Sequence, residues 1–517
     1  MRKVVFLVLT LLSLAGCSVT FEAGIERTPA ATATSTAAAS RLEPTLEALR
    51  SENQRLIAAL TAQPRPATAT PPPPDLGRIA YVQGGDIWIK SLPDGQPARL
   101  TNDGRNSEPR WSPSGRWLAF RKDRTVILQE ECDMPKPQRE FCRESVWQEQ
   151  LWLVETSQDT GEAAPSTLRQ LNEGLTVKAF AWSPVCDRLA YVDAFGSLRA
   201  VDGGSGRESE LLSKPRSDAV GAIVWSPDGA SIGFEYSRNR AGAEGPERGL
   251  WKISSGGGEP SPLYIAATGQ SEPRLAAWSP TGRSLLFWQD DGQSAISADG
   301  APLFSVPAAG DAAPASEPAR LDSAPTLLFT DFLAPAPAGS IPGSGEWVAV
   351  VAGAGAATWQ DKQVVVARAM PQAGDSPEIS PLTPEDEAAI SPAWSPDGAW
   401  LAYSAMPERA GLELDEAVPP ELMQRRIWVS AAGASSRRRL TDSPGYRDEF
   451  PLWSGDGRTL LFARLDAAGR ASLWIVPAAG GTPQQMVGEI TPAPDPLGDF
   501  GHISWLQFFD WTRGSAG

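Results

Sequence analysis

From about residue 77 onward, apolar positions come in short runs of four to seven residues, separated by Gly, Pro, Asp and Ser. Runs of that length, bounded by turn residues, read as strands; no stretch in this region sustains a helical period. The commonest unit is a turn, Trp-Ser-Pro-x-Gly, running into an apolar strand. It occurs at Trp111 ("WSPSGRWLAF"), Trp182 ("WSPVCDRLAY"), Trp225 ("WSPDGASIGF"), Trp278 ("WSPTGRSLLF"), Trp394 ("WSPDGAWLAY") and Trp453 ("WSGDGRTLLF"). A degenerate copy, "IPGSGEWVAV", begins at Ile341, and the half-copy "PPDLGRIAYV" at Pro73. In this unit Pro fixes φ at the second turn position, Asp or Ser caps the turn, and Gly takes the left-handed position that closes it.

A second strand follows each copy: Asp86 ("DIWIK"), Leu151 ("LWLV"), Leu198 ("LRAV"), Leu250 ("LWKI"), Ala295 ("AISA"), Val364 ("VVVA"), Ile427 ("IWVS") and Leu473 ("LWIV"). Several units end in a short "RLT"-like strand, as at Arg99–Thr101 and Arg439–Thr441. Four short antiparallel strands per unit make a propeller blade. The pattern resembles the TolB-like propeller repeat, also called the WD40-like or PD40 repeat, over about Gly77 to Trp511. The fold class expected is all-β: a β-propeller of eight four-stranded blades. Seven is the alternative if the unit near Ile341 belongs to a loop. The TolB proteins carry six blades, so blade number already separates this chain from them. The repeat-structural residues are Trp111, Trp182, Trp225, Trp278, Trp394, Trp453 and Trp505. Because the domain begins at the second strand of a unit, "HISWLQF" (His502–Phe508) is expected to supply the missing strand of the first blade and close the ring.

The first 76 residues have another character. "MRKVVFLVLTLLSLAGC" has a basic start, an apolar run from Val4 to Leu12 too short to span a bilayer, and then small residues. Leu14-Ala15-Gly16-Cys17 resembles the lipobox of bacterial lipoproteins. That resemblance implies a signal peptide over 1–16 and acylation of Cys17, hence an extracytoplasmic protein anchored to a bacterial membrane. Residues 17–39 are a Thr/Ala-rich tether. In residues 40–63, Leu42, Leu46, Leu49, Asn53, Leu56 and Leu60 follow a heptad seam. They predict an amphipathic helix, either alone or as a short coiled coil that could make the protein a homo-oligomer. A Pro-rich spacer covers 64–76, and 512–517 form a tail.

Composition narrows the chemistry. The net charge is −16, becoming −18 when Arg2 and Lys3 leave with the signal peptide. The nearest basic run, Arg437-Arg438-Arg439, reads as a solvated face, so nucleic acid is not an expected partner. The chain has one histidine, His502. "GASIG" (Gly229–Gly233) mimics a nucleophile elbow around Ser231, but here the order is turn then strand, where an elbow needs strand, turn and helix. "VAVVAGAGAAT" (Val348–Thr358) mimics a dinucleotide fingerprint and reads as a blade hairpin. Cys132 and Cys142 are candidates for a local disulfide, with Cys186 a competing partner in a turn position usually held by Gly. Asp290-Asp291-Gly292 and Glu385-Asp386-Glu387 lack the spacing of a calcium loop. No metal, cofactor or catalytic residue is expected.

Four stretches depart from the compact unit: Gln129–Gln150, Ser237–Gly249, Pro302–Gly345 and Ala405–Arg426. Insertions on a rigid repeat scaffold often form its binding face. The function expected is binding of an envelope protein, peptide or glycan without catalysis. The alternatives are a propeller hydrolase or lyase acting on an envelope polymer, and a scaffold oligomerised by the stalk.

Overall fold

A computed structural model describes residues 75–131, 141–156, 167–172, 176–214, 217–239, 245–266, 272–290, 300–308, 318–321, 325–338, 346–370, 378–409, 420–433 and 436–513, with backbone alone for 125–131 and 141–147. Cys17, the heptad segment 40–63 and Cys132 lie outside these residues, and the side chain of Cys142 does too.

Eight antiparallel sheets of four strands each form an eight-bladed propeller. Within a blade the strands are here called A to D, from the axis outward. Blade two has A at Asn106–Trp111, B at Trp117–Glu131, C at Phe141–Glu155 and D at Arg169–Gln170. Blades three to eight follow in chain order, with A strands at Val177–Trp182, Ala219–Trp225, Glu272–Trp278, Leu333–Pro335, Glu387–Trp394 and Tyr446–Trp453. Blade one is assembled from both ends of the described chain. Its B, C and D strands are Arg78–Gln83, Asp86–Ser91 and Ala98–Arg99, and its A strand is Phe509–Trp511, paired Ile79 to Trp511 and Tyr81 to Phe509.

Three expectations are corrected. The closing strand is Phe509–Trp511, because Trp505–Gln507 turns as a short 3-10 segment. The repeat tryptophan of blade one is therefore Trp511, which opposes the second residue of its B strand as Trp111 opposes Leu118. Trp505 instead donates from Nε1 to Glu449 at 3.1 Å. Next, the C strand of blade five is Leu303–Pro307, not the stretch at Ala295. Finally, Pro302–Gly345 is no single insertion: it holds strands C and D of blade five and, at Leu333–Pro335, strand A of blade six.

The repeat works as its chemistry requires. In blade four, Ser226 Oγ accepts the backbone N–H of Ser231 at 2.9 Å and donates to Asp228 at 2.6 Å, while Gly229 sits at φ 67°. The same Ser–Asp pair recurs at Ser395–Asp397 and Ser454–Asp456. Ser231 is thus the first residue of a B strand. Val348–Thr358 likewise falls in the B–C hairpin of blade six, between Trp347–Ala352 and Gln363–Arg368.

The repeat tryptophans join neighbouring blades. Each indole N–H reaches the carbonyl just before the equivalent position of the preceding blade: Trp182 to Arg110 (3.0 Å), Trp225 to Ala181 (2.9 Å), Trp278 to Val224 (3.1 Å), Trp394 to Ala334 (2.9 Å) and Trp453 to Ala393 (3.0 Å). Trp111 and Trp511 depart from the series: the Arg78 guanidinium lies 4.7 Å from the Trp111 ring centroid, and Trp511 donates to Leu76 O at 2.6 Å. A separate apolar cluster fills each gap between adjacent blades, so both faces of every sheet are buried. That explains the near-continuous apolar runs of the B strands.

Because the strands alternate in direction, each end of the propeller has a fixed content. One end, the turn face, carries the A–B turns with the Trp-Ser-Pro motif and the outer C–D hairpins. The other, the loop face, carries the B–C and D–A connections.

Candidate binding face

The three remaining insertions are all B–C connections and so all belong to the loop face. In blade two the B and C strands continue outward as a two-stranded ribbon, paired as far as Glu131 to Phe141. In blade four pairing continues to Arg238 and Glu247. In blade seven, Ala405–Arg426 contains a 3-10 turn at Pro420–Gln424. The chain enters the propeller at the opposite end. Arg78 N–H donates to Thr512 Oγ1 at 2.8 Å, and its guanidinium donates to the carbonyl of Gly115 in the A–B turn of blade two.

Across blades six to eight the loop face is closed by a strap, Asp495–Trp505, the connection into the closing strand. Arg425 and Arg447, both buried, hold it. Arg425 donates from Nη1 to Glu449 and to the carbonyl of Gly501 (2.9 Å), and from Nη2 to Thr358 O and Oγ1 (3.0 Å each). Arg447 donates to Glu449 Oε1 at 2.6 Å, to Pro496 O at 2.6 Å and to Gly501 O. Glycine is required at 501, since a Cβ there would meet Thr358 Oγ1 at 2.5 Å. Burial pushes the Glu449 carboxyl up, but Arg447 and Arg425 outweigh it and hold it at about 2. Burial draws Arg425 down to about 10, so both partners are charged at neutral pH.

The single histidine is part of the same fastening. His502 Nε2 lies 2.7 Å from Asp331 Oδ1, Ser391 Oγ donates to Asp331 Oδ2 at 2.6 Å, and the Phe329 ring stacks on the imidazole at 3.8 Å. Serine, aspartate and histidine therefore meet, but in an order that activates nothing. A nucleophilic serine gives its proton to the histidine, whereas Ser391 bonds the carboxylate and the imidazole is 4% exposed. Nothing in the sequence pointed to Asp331, Ser391, Arg425 or Glu449, because residues from 331 to 502 meet only in the folded ring.

Between blades one and two lies an open groove. Two cavities of about 350 and 500 Å³ adjoin there, sharing Asp103, Lys122 and Trp152. Buried Asp86 braces the loop that lines one side: its Oδ1 accepts the backbone N–H of Asp103 and of Gly104 at 2.9 Å each. Burial pushes this carboxyl up, yet the Gly104 N–H and Arg99 hold it below the usual carboxylate range. Lys122 Nζ sits 4.9 Å from the Trp152 ring centroid. A smaller cleft of about 170 Å³ separates blades four and five. There Glu235 accepts the N–H of Leu275 (2.8 Å) and of Ala222 (3.3 Å), and burial raises its pKa. Both oxygens serve to join two A strands, so the group acts as a pin.

Among the other residues singled out, Cys186 is an exposed free thiol whose Sγ lies 3.4 Å from Ser183 Oγ. Cys17, Cys132 and the side chain of Cys142 fall outside the described residues. Arg437–Arg439 form strand D of blade seven and are more engaged than a solvated face: Arg437 lies 4.0 Å from the Trp428 ring centroid and Arg438 5.0 Å from that of Trp400. Asp290 lies 3.5 Å from Arg274, and Glu387 pairs with Arg437 at 2.6 Å. Among the described residues no group of acidic, His or Cys side chains has a metal-holding arrangement.

No family model matches the chain, and no curated protein matches it. Solved structures similar to it include an oligogalacturonate lyase in complex with manganese (13% identity over 80% of this chain and 86% of that one, TM-score 0.40). A putative TolB from Agrobacterium tumefaciens is similar at 14% identity over 79% of this chain and 87% of that one, TM-score 0.29. Porphyromonas gingivalis dipeptidyl peptidase 4 is similar at 12% identity over 81% of this chain and 60% of its own length, TM-score 0.48. The neighbours thus include TolB proteins and propeller enzymes alike, and at these identities the likeness concerns fold only.

Proposed function

We propose that the protein is a lipid-anchored, extracytoplasmic binding module that presents its loop face to an envelope protein, peptide or glycan. The observation that carries this reading is the division of labour between the two ends. The chain joins the propeller at the turn face, beside Gly115 and Thr512, and the three insertions project from the other end. The loop face with its insertions is therefore not the end at which the chain enters. The net charge of −16 would help keep the propeller off an anionic surface. Insertions on a scaffold closed by a fixed ring can vary without disturbing the blades, which is how rigid folds commonly carry recognition.

The test is affinity isolation of the tagged full chain from its own membranes after cross-linking, beside a Cys17→Ala variant. Reproducible partners that disappear in the variant are the expected result. Recovery of the same proteins from both, or of nothing, counts against an anchored binding module.

A further inference from the structure

We propose that the groove between blades one and two binds an acidic peptide segment carrying an apolar residue beside its carboxylates. The proposal rests on the reading of the loop face as the binding face and names the ligand of one part of it. Three features of the groove lead there.

The first is charge. The chain as a whole carries −16, yet Arg99, Arg105, Lys122 and Arg124 line this groove against Asp103 and Asp123. Arg99 is held by Asp86 and Lys122 by Asp103. Arg105 and Arg124 are exposed and have no ion-pair partner among the described residues. Both line the larger of the two cavities. Two guanidiniums without an ion-pair partner in one cavity are suited to carboxylates, which each can grip with paired N–H donors.

The second is an apolar shelf at the other end of the groove. Leu168 is 42% exposed there, one of few large apolar side chains so open among the described residues, and the half-buried Leu100 lines the same cavity. A ligand that reaches both ends must offer acid and hydrocarbon within a few residues. Gln170, which lines the same cavity as the arginines, can serve a backbone with a donor and an acceptor.

The third decides between peptide and sugar. A glycan site of this size would use Trp152 as a stacking platform, but Lys122 already covers that ring. The groove also lies at the foot of the blade-two ribbon, where the B and C strands leave the blade. An extended ligand lying in it would thus run along the base of the blade-two insertion.

The test uses the detergent-solubilised full chain and a fluorescein-labelled octapeptide of alternating Glu and Leu, read by anisotropy. Binding is expected to weaken as salt rises. It should fall roughly 100-fold in the double variant Arg105→Glu/Arg124→Glu, about what losing two charge-assisted contacts implies. Arg207→Glu, in the C–D hairpin of blade three on the turn face, should leave it unchanged. Both groove arginines are exposed, so an unaltered melting temperature will show that the variant is folded. Binding no tighter than that of a Gly-Ser octapeptide would overturn the proposal, as would equal binding by the double variant. Displacement of the peptide by an oligouronate at lower concentration than by unlabelled peptide would do the same, and would make the groove a glycan site. Capture of membrane partners that persists in the double variant would overturn the groove while leaving the anchored-module reading intact. Absence of any capture by the unaltered chain would remove that reading first.

Discussion

Replacing Arg425 with Ala will lower the stability of the propeller by about 3–5 kcal/mol, the usual cost of breaking a buried ion pair from one side. The change removes the donors to Glu449, to Gly501 and to Thr358 together, and so breaks the tie of the strap to blade seven while the His502–Asp331 contact still holds it at blade six. Arg447 still faces Glu449, which places the loss at the lower end of that range. The midpoint of urea unfolding reads it directly. The same network sets the acid limb. Glu449 is held at about 2 in the folded protein, below the roughly 4.3 of an unfolded chain. Its contribution is therefore complete above about 4.3 and lost as pH falls toward 2. Glu449→Gln should be less stable at pH 7 and should flatten that limb. A variant whose stability fell with acid as steeply as that of the unaltered chain would mean other carboxylates carry the effect.

Removing residues from Phe509 onward will have the larger consequence. Blade one would keep three strands, and the partners of Ile79, Ala80 and Tyr81 would be gone. Phe509 and Trp511, both buried in the cluster between blades eight and one, would leave with them. Each such aromatic is worth about 3–5 kcal/mol on truncation to Ala. Their joint loss approaches the whole stability of an ordinary domain, about 5–15 kcal/mol. The truncated chain should be recovered unfolded or aggregated, with an open sheet edge exposed. The point variant Trp511→Ala keeps the strand and should lower stability by about 3–5 kcal/mol in the same urea assay. A truncated chain that melted like the full one would show that the C-terminal strand does not close the ring.

How much of this was legible follows from the range of each interaction. The Trp-Ser-Pro-x-Gly turns are local chemistry: Ser226, Asp228 and Gly229 close one turn among themselves, so the blades could be counted from the repeat. The closing strand was misplaced by a few residues because its motif has no turn after it. Without that marker Trp505 stood in for Trp511, and only the pairing of Trp511 with Ile79 distinguishes them. Strands C and D of blade five and the A strand of blade six lie in Ala- and Pro-rich sequence, where Leu333–Pro335 carries no tryptophan; Ala334 still accepts the indole N–H of Trp394. The strap could not be read at all. Asp331, Thr358, Arg425 and Glu449 are ordinary polar residues until the ring brings them to Gly501 and His502. The same holds for the groove, whose Arg105 and Arg124 look unremarkable in sequence and come to line one cavity only in the folded blade.

The most direct measurement places a photo-crosslinking amino acid at each end of one blade in membranes of the source cell. Phe195, 71% exposed, lies in the B–C turn of blade three on the loop face, and Val185, 59% exposed, in the A–B turn of the same blade on the turn face. The account predicts discrete protein adducts from position 195, and from position 105 beside the groove, with none from position 185. Adducts from position 185 alone would contradict it, since the turn face would then be the end that meets the partner.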